Sequence, residues 1–186
     1  METHVLHTDD AKPCVQEFIQ RKRRLLPRWE SPGRVYHVRS SLLRWRPERL
    51  TSDAIAGMFA EVLDYDDGRR YELHCYVLMP DHFHALLRPL PRGDGVVPLS
   101  EIMQAIKSVS ARRVNRLSGR NGSLWLEDGY TRFIRNDKEY RATWRYIHSN
   151  PMRAGYIGWR GKWPWWWEWS RRGQLCADEG VRTTKY

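Results

Sequence analysis

The sequence predicts an α+β domain built on an antiparallel sheet, and three features carry that prediction. Strand-like apolar runs alternate with longer segments of helical periodicity, two of the strand-like runs follow each other directly, and turn signals stand at the junctions. RVYHVRSS reads as the first strand. In TSDAIAGMFAEVLDY, Thr51 or Ser52 is placed to cap a helix whose Ile55, Met58, Phe59, Val62 and Leu63 recur at helical spacing, and DDGRR then marks a turn. YELHCYVLM and HFHALLRPL are strands meeting at Pro80-Asp81, most simply as an antiparallel hairpin. RGDGVVP reads as a loop. LSEIMQAIKSVSARRVNRL reads as a helix capped by Ser100, with Ile102, Met103, Ile106, Val109 and Val114 on one side and Lys107, Arg112, Arg113 and Arg116 on the other. After GRNGS, LWLEDGYTRFIRN supplies another strand or two. A last helix starts near Asn136, with Glu139 three residues on as in a capping box. The order strand, helix, strand, strand, helix, strand, helix fits a ferredoxin-like (RRM-like) sheet with helices on one face.

The chain divides into an N-terminal extension (1–34), a central domain (35–160) and a tryptophan-rich C-terminal tail (161–186). The extension contains VQEFIQRKRRLL, which can form a short basic helix. The tail reads KWPWWWEW and is interrupted by Pro164 and Glu168, so it is expected to dock on the domain and not in a membrane interface. Trp163 and Trp165 are the expected packing residues, with Trp166, Trp167 or Trp169 left partly available.

Composition narrows the function. With 186 residues and 41% of them hydrophobic, the chain can build a real core, which excludes a disordered protein. Lys and Arg number 32 against 22 acidic residues, a formal charge of +10, and arginine predominates. Forked guanidinium groups suit phosphates, so a polyanion is the first partner to consider. Cys14, Cys75 and Cys176 are far apart and form no CxxC pair, which points away from a zinc knuckle or a disulfide framework and toward a reducing compartment. No run approaches the roughly 20 apolar residues of a membrane span. A cytoplasmic protein is expected.

The chemistry-bearing stretch is MPDHFHALL. Successive strand side chains point to opposite faces, so His82 and His84 project together while Phe83 and Ala85 pack behind them. Two adjacent imidazoles are half of a metal site. In RYIHSNPMRAG, Tyr146 and Asn150 are four apart and share a helical face; Pro151 places the Asn150 amide where the helix ends or kinks. Tyr140, Trp144 and Ile147 form a separate apolar stripe, which leaves Tyr146 off the core-facing side. A tyrosine beside a metal is suited to nucleophilic attack, and in a basic protein a phosphodiester is the natural electrophile. Tyr130 lacks an amide at helical spacing, Tyr140 belongs to the apolar stripe, and Tyr156 lies beyond Gly155, a helix terminator.

Together, MPDHFHALL, LWLEDGYTRFIRNDKEYRATWRYIHSNP and YIHSNPMRAG resemble the single-tyrosine transposases of the HUH endonuclease superfamily, most closely the REP-associated tyrosine transposases, over about Val35 to Trp165. The resemblance implies an HUH endonuclease fold, a catalytic role for residues 35–160, a divalent metal held by His82, His84 and Asn150, and Tyr146 as nucleophile. It implies cleavage of single-stranded DNA, with a 5′-phosphotyrosine link and a free 3′-hydroxyl that can rejoin strands. The expected substrate is a hairpin of a palindromic repeat with a short flanking guide sequence, and the implied cofactor is magnesium or manganese. Imidazole ligands alone favour zinc, copper or nickel over magnesium, so manganese fits both considerations. Leu126 after Trp125, and Thr131, depart from residues common in the family and bear on which DNA is read. Arg132 and Arg135, beside the last helix, and Lys107, Arg112 and Arg113 are candidate phosphate ligands. A monomer or a homodimer is compatible with the sequence.

Two other readings stand beside this one. A non-catalytic single-stranded DNA- or RNA-binding module would use a four-stranded sheet with exposed aromatics. A zinc hydrolase would use His82, His84 and a third ligand to activate water.

Overall fold

The computed structural model describes residues 33–158 and 161–168. The basic segment of the extension, Trp169, Cys14 and Cys176 lie outside the described residues. Strands β1 (Tyr36–Ser41), β2 (Tyr71–Leu78), β3 (His82–Pro89), β6 (Tyr130–Phe133) and β7 (Trp166–Glu168) form one sheet in the order β6-β1-β3-β2-β7, every neighbouring pair antiparallel. Helix α1 (Asp53–Asp66) joins β1 to β2 and α2 (Leu99–Ser118) lies between β3 and β6. Helix α3 (Asp137–Arg153) follows β6. The four-strand core is therefore two interleaved βαβ units, the ferredoxin-like arrangement expected from the element order. RGDGVVP, read above as a loop, contains a small hairpin of β4 (Pro91–Arg92) and β5 (Gly95–Val96).

The helices do not all share one face, as the sequence reading had it. On β3 the residues Phe83, Ala85 and Leu87 belong to the core beneath α1 and α2, together with Phe59, Leu63, Ile102, Ile106 and Trp125. Their alternates on the other face, with Leu86 at the centre, pack toward α3 through Cys75, Val77, Met79 and Ile147. A sheet whose central strand is apolar on both sides must be covered on both sides. Helix α3 supplies the second cover with the stripe of Tyr140, Trp144 and Ile147.

Local chemistry explains the element ends. Pro98, not Ser100, occupies the cap position of α2, since the chain enters the helix two residues earlier than the serine signal implied. Gly119, at φ 61°, closes α2 in the left-handed conformation, and the Arg120 N–H reaches back to the Asn115 carbonyl at 2.9 Å. Ser52 precedes α1, but its hydroxyl donates to the Arg49 carbonyl and does not cap the helix. At α3 the expected cap forms. The Asn136 side-chain oxygen accepts from the Glu139 N–H at 2.9 Å, while the Glu139 carboxylate accepts from the Arg135 backbone N–H and Nε. Asn136→Ala is expected to cost about 1 kcal/mol, read as a lowered urea midpoint with an unchanged slope.

Strand β2 carries an irregularity that the sequence does not announce. Leu73 pairs with Leu87 and Cys75 with Leu86, so His74 is an extra residue in the ladder. This bulge reverses the phase of the strand: Leu73 faces the α1/α2 core, yet Cys75 and Val77 face α3. The His74 Nδ1 lies 2.9 Å from the Tyr140 hydroxyl and ties the bulge to α3.

The tail is more fully engaged than predicted. Trp163 donates its indole N–H to the Leu78 carbonyl at 2.8 Å, and Trp165 packs on the α1/α2 core. Trp166 and Trp167, expected to be partly available, are half-buried and belong to β7. Trp167 stacks on Tyr76 with ring centres 5.7 Å apart, and Trp166 meets Trp144 and His148 edge-on. Adding a strand satisfies the open edge of β2 while alternate indoles cover both faces.

Candidate active site

Strand register assembles the site. On the face turned to α3, Arg132 of β6 lies opposite His37 of β1; Tyr130 lies opposite Arg39, which lies opposite His84; and Ser41 lies opposite His82. Helix α3 crosses this face and contributes Glu139, Ala142, Thr143, Tyr146 and Asn150. The result is an open cleft of about 790 Å³. His82, His84, Tyr146, Asn150 and Arg132, chosen from sequence, all line it.

The histidines form a connected set. The rings of His82 and His84 are centred 5.1 Å apart, and His84 Nδ1 lies 2.9 Å from His37 Nε2. His82 Nδ1 is 2.7 Å from Asp81 Oδ1, a carboxylate that fixes the ring and leaves Nε2 directed elsewhere. Burial lowers the affinity of all three imidazoles for a proton. His84 is pushed down to about 2 by burial first, with His37, His82 and Arg39 adding to it. His37 is pushed down to about 4 by burial and then by Arg132 and Arg39. His82 also falls, through burial, although its bond to Asp81 opposes the shift. These rings are neutral at physiological pH and offer lone pairs, which is what a metal ligand requires.

Tyr146 stands over this set. Its ring centre is 5.7 Å from that of His84 and 6.1 Å from that of His37, both edge-on, and the Arg153 guanidinium sits 5.6 Å from it. The residue is 42% exposed and lines the open cleft. One turn on, Asn150 donates from Nδ2 to the Tyr146 carbonyl at 3.2 Å, leaving its amide oxygen as the end available to a cation. Among the described residues, no group of three histidine, cysteine, aspartate or glutamate side chains could hold a metal ion. Two neutral imidazoles with an amide oxygen are a different donor set, nitrogen ligands that suit zinc, copper, iron or nickel beside an oxygen of the kind that suits magnesium or manganese.

The basic candidates separate. Arg132 lines the cleft and is paired with Glu139, which also holds Arg135 at 3.0 Å just outside it. Lys107, Arg112 and Arg113 are on α2, across the sheet from the cleft. Lys107 donates to the carbonyls of Leu126 and Glu127 at 2.6 and 3.1 Å, and Arg113 pairs with Glu61 at 2.9 Å. The arrangement thus gives Lys107 a structural task, holding the loop that leads into β6.

Sequence reasoning missed His37, Arg39 and Glu139 and set Tyr130 aside. The signal for the first two was present in YHVRSS, where the two-residue period puts His37 and Arg39 on one face. Which face that was depends on strand pairing. Tyr130 also lines the cleft, with its ring 5.3 Å from His37. The preceding residue explains how β6 comes so near: a Cβ on Gly129 would stand 2.9 Å from the Arg39 carbonyl oxygen. Gly129→Ala is therefore expected to cost roughly 1–3 kcal/mol by forcing β6 from β1, seen as a lower melting temperature.

Comparison with known proteins decides the family. The family model for IS200-like transposases matches residues 44–150. The chain belongs to that family. This transposase is similar to the REP-associated tyrosine transposase of Escherichia coli (strain K12), with 24% identity over 122 residues, spanning 66% of this chain and 69% of the relative. Its fold matches a solved REP-associated tyrosine transposase bound to a REP hairpin, with a TM-score of 0.60 and 24% identity over 76% of this chain and 80% of the other. As a tyrosine transposase it is an enzyme of DNA cleavage by transesterification. No helix among its described residues is long and apolar enough to cross a membrane.

Proposed function

We propose that this transposase cleaves and rejoins single-stranded DNA through Tyr146. The observation that carries the reading is the placement of a partly exposed tyrosine with its ring against two neutral histidines, in a cleft that also presents Arg39 and Arg132. The phenolic oxygen attacks a phosphorus atom, the bond to the 3′-oxygen breaks, and the protein remains joined to the 5′-phosphate. The phenolic proton passes to solvent, and the departing 3′-oxygen takes one up. Because one phosphodiester is exchanged for another, the freed 3′-hydroxyl can reverse the step or join a different strand without an external energy source.

His82, His84 and Asn150 are the residues that would hold a divalent cation, manganese or magnesium. Such an ion supplies polarisation of the phosphate oxygens and offsets the charge that develops on them. His37 and Asp81 orient the two imidazoles from behind. Arg39 and Arg132 draw the strand into the cleft, with Glu139 holding Arg132 until a phosphate competes for it. Lys107, Arg112 and Arg113, on the far face, are left to contact DNA that extends beyond the cleft.

The substrate proposed is a hairpin formed by a palindromic repeat, in keeping with the hairpin named for the solved structure of similar fold. The working unit proposed is a monomer or a homodimer. Residues 35–160 then act as the catalytic domain, in the cytoplasm where the DNA is. The test is a denaturing gel of end-labelled hairpin DNA incubated with manganese or with EDTA. A slow-migrating, protease-sensitive species in manganese alone is the expected result. Cleavage with no such species would replace the tyrosine mechanism by hydrolysis, and binding without cleavage would favour a binding module.

A further inference from the structure

Helix α3 carries a cation that stands outside the proposed chemistry, and the way the helix ends explains its place. Pro151 is buried inside the helix, which runs on through it to Arg153. The chain then closes in a Schellman motif. Gly155 turns at φ 75°, its N–H reaches the Met152 carbonyl at 3.0 Å, and the Tyr156 N–H reaches the Pro151 carbonyl at 2.9 Å. Both bonds span the last turn, so the backbone of Arg153 is held. The unbroken helix puts Tyr146, Asn150 and Arg153 at positions i, i+4 and i+7, along one face.

The Arg153 guanidinium lies 5.6 Å from the centre of the Tyr146 ring, close enough for cation–π attraction. Its charge is otherwise uncommitted. Arg132 and Arg135 are both paired with Glu139, and Arg113 with Glu61, whereas Arg153 is exposed and among the described residues no carboxylate engages it. A ring face holds a guanidinium weakly compared with a phosphate, which accepts two parallel N–H bonds from the same fork. A phosphorus atom bonded to the Tyr146 oxygen becomes part of the side chain against which this fork already rests. The last turn of a helix favours a cation of either kind, lysine or arginine, and so does an aromatic ring. Only a planar, two-oxygen partner asks for the fork.

We infer that Arg153 is a catalytic residue of the strand transfer, donating two N–H bonds to the non-bridging oxygens of the phosphate while it passes onto the Tyr146 oxygen. The inference rests on the proposed activity and adds a residue to it. The bond from phosphorus to the phenolic oxygen forms, the bond to the 3′-oxygen breaks, and the guanidinium stays protonated throughout. Arg39 and Arg132 are on the sheet and serve the incoming strand. Arg153 shares a helix with the nucleophile, so its fork stays with the phosphotyrosine until a 3′-hydroxyl attacks, and cleavage and rejoining depend on it alike.

The test is single-turnover adduct formation by the full chain on end-labelled hairpin DNA in manganese, comparing the parent with Arg153→Gln and Arg153→Lys. Arg153→Gln should slow the adduct by about 100-fold or more. Arg153→Lys keeps a cation for the helix end and the ring but loses the fork, and should still be slower by about tenfold. Manganese affinity by calorimetry, hairpin affinity by fluorescence anisotropy in EDTA, and the melting temperature should stay close to the parent's in both variants. A lysine variant as fast as the parent would reduce Arg153 to a helix-end cation, and a glutamine variant as fast would remove it from the reaction. A rate loss matched by an equal loss of manganese or hairpin affinity would place its role in binding. Each of these results overturns the inference. If Arg153→Gln does not fold, the lysine variant decides alone. A parent that forms no adduct overturns the functional reading itself, and this inference falls with it.

Discussion

Tyr146→Phe is expected to abolish the covalent protein–DNA species and to reduce strand cleavage by on the order of a thousandfold or more, as removal of a nucleophile does. The substitution leaves the packing intact. Phenylalanine keeps the ring against His84 and His37 and beneath Arg153, and α3 is held through Ile147, Trp144 and Tyr140, which point elsewhere. Circular dichroism and the melting temperature should match the parent, so loss of the adduct reports only the missing hydroxyl. Tyr130 makes the experiment sharper, because it lines the same cleft and is 46% exposed. Tyr130→Phe is expected to retain the adduct. The reverse pattern, an adduct that survives Tyr146→Phe and vanishes in Tyr130→Phe, would transfer the nucleophile to β6.

The second large effect is expected at His84. This ring is 3% exposed and shares a hydrogen with His37, so when His84 Nδ1 carries that hydrogen its Nε2 presents a lone pair to the cleft. His84→Ala should lower manganese-dependent cleavage by about 100-fold or more. It should also destabilise the fold by about 1–3 kcal/mol, since His37 loses its partner inside the protein. Calorimetric titration with manganese and urea unfolding separate the two effects. His37→Leu distinguishes orientation from simple presence. It should weaken manganese binding by about 10- to 100-fold, whereas His37→Gln, whose amide oxygen can accept the same hydrogen, should keep most of the affinity. Unchanged manganese binding in both His84→Ala and His37→Leu would remove the metal from this face of the sheet.

Most of the architecture was legible because it is written in local patterns. The α1 stripe from Ile55 to Leu63, the apolar alternation of HFHALL and the Asn136–Glu139 cap each involve residues within one or two turns of each other, and such signals survive without knowledge of partners. The same holds for the pairing of His82 with His84 and of Tyr146 with Asn150, since backbone geometry alone fixes which side chains share a face. The exceptions have physical causes. The bulge at His74 leaves no trace in a nearly continuous apolar run, because a strand buried on both faces has no alternation to interrupt. The β7 pairing was not legible because tryptophan both stacks on ligands and fills cores, and only an open sheet edge beside β2 decides between them.

The sequence by itself determined the kinds of chemistry: an imidazole pair on one strand face, a tyrosine and an amide on one helix face, and an excess of arginine for a polyanion. Tertiary structure decided which of these meet. The antiparallel register of β1 against β3 and β6 brings His37, Arg39, Tyr130 and Arg132 to the two histidines, and α3 lies on that face because the α1/α2 core already covers the other. Register and face are set by contacts between residues far apart in the chain, so no local pattern could specify them. The same long-range packing placed Lys107 against the loop before β6.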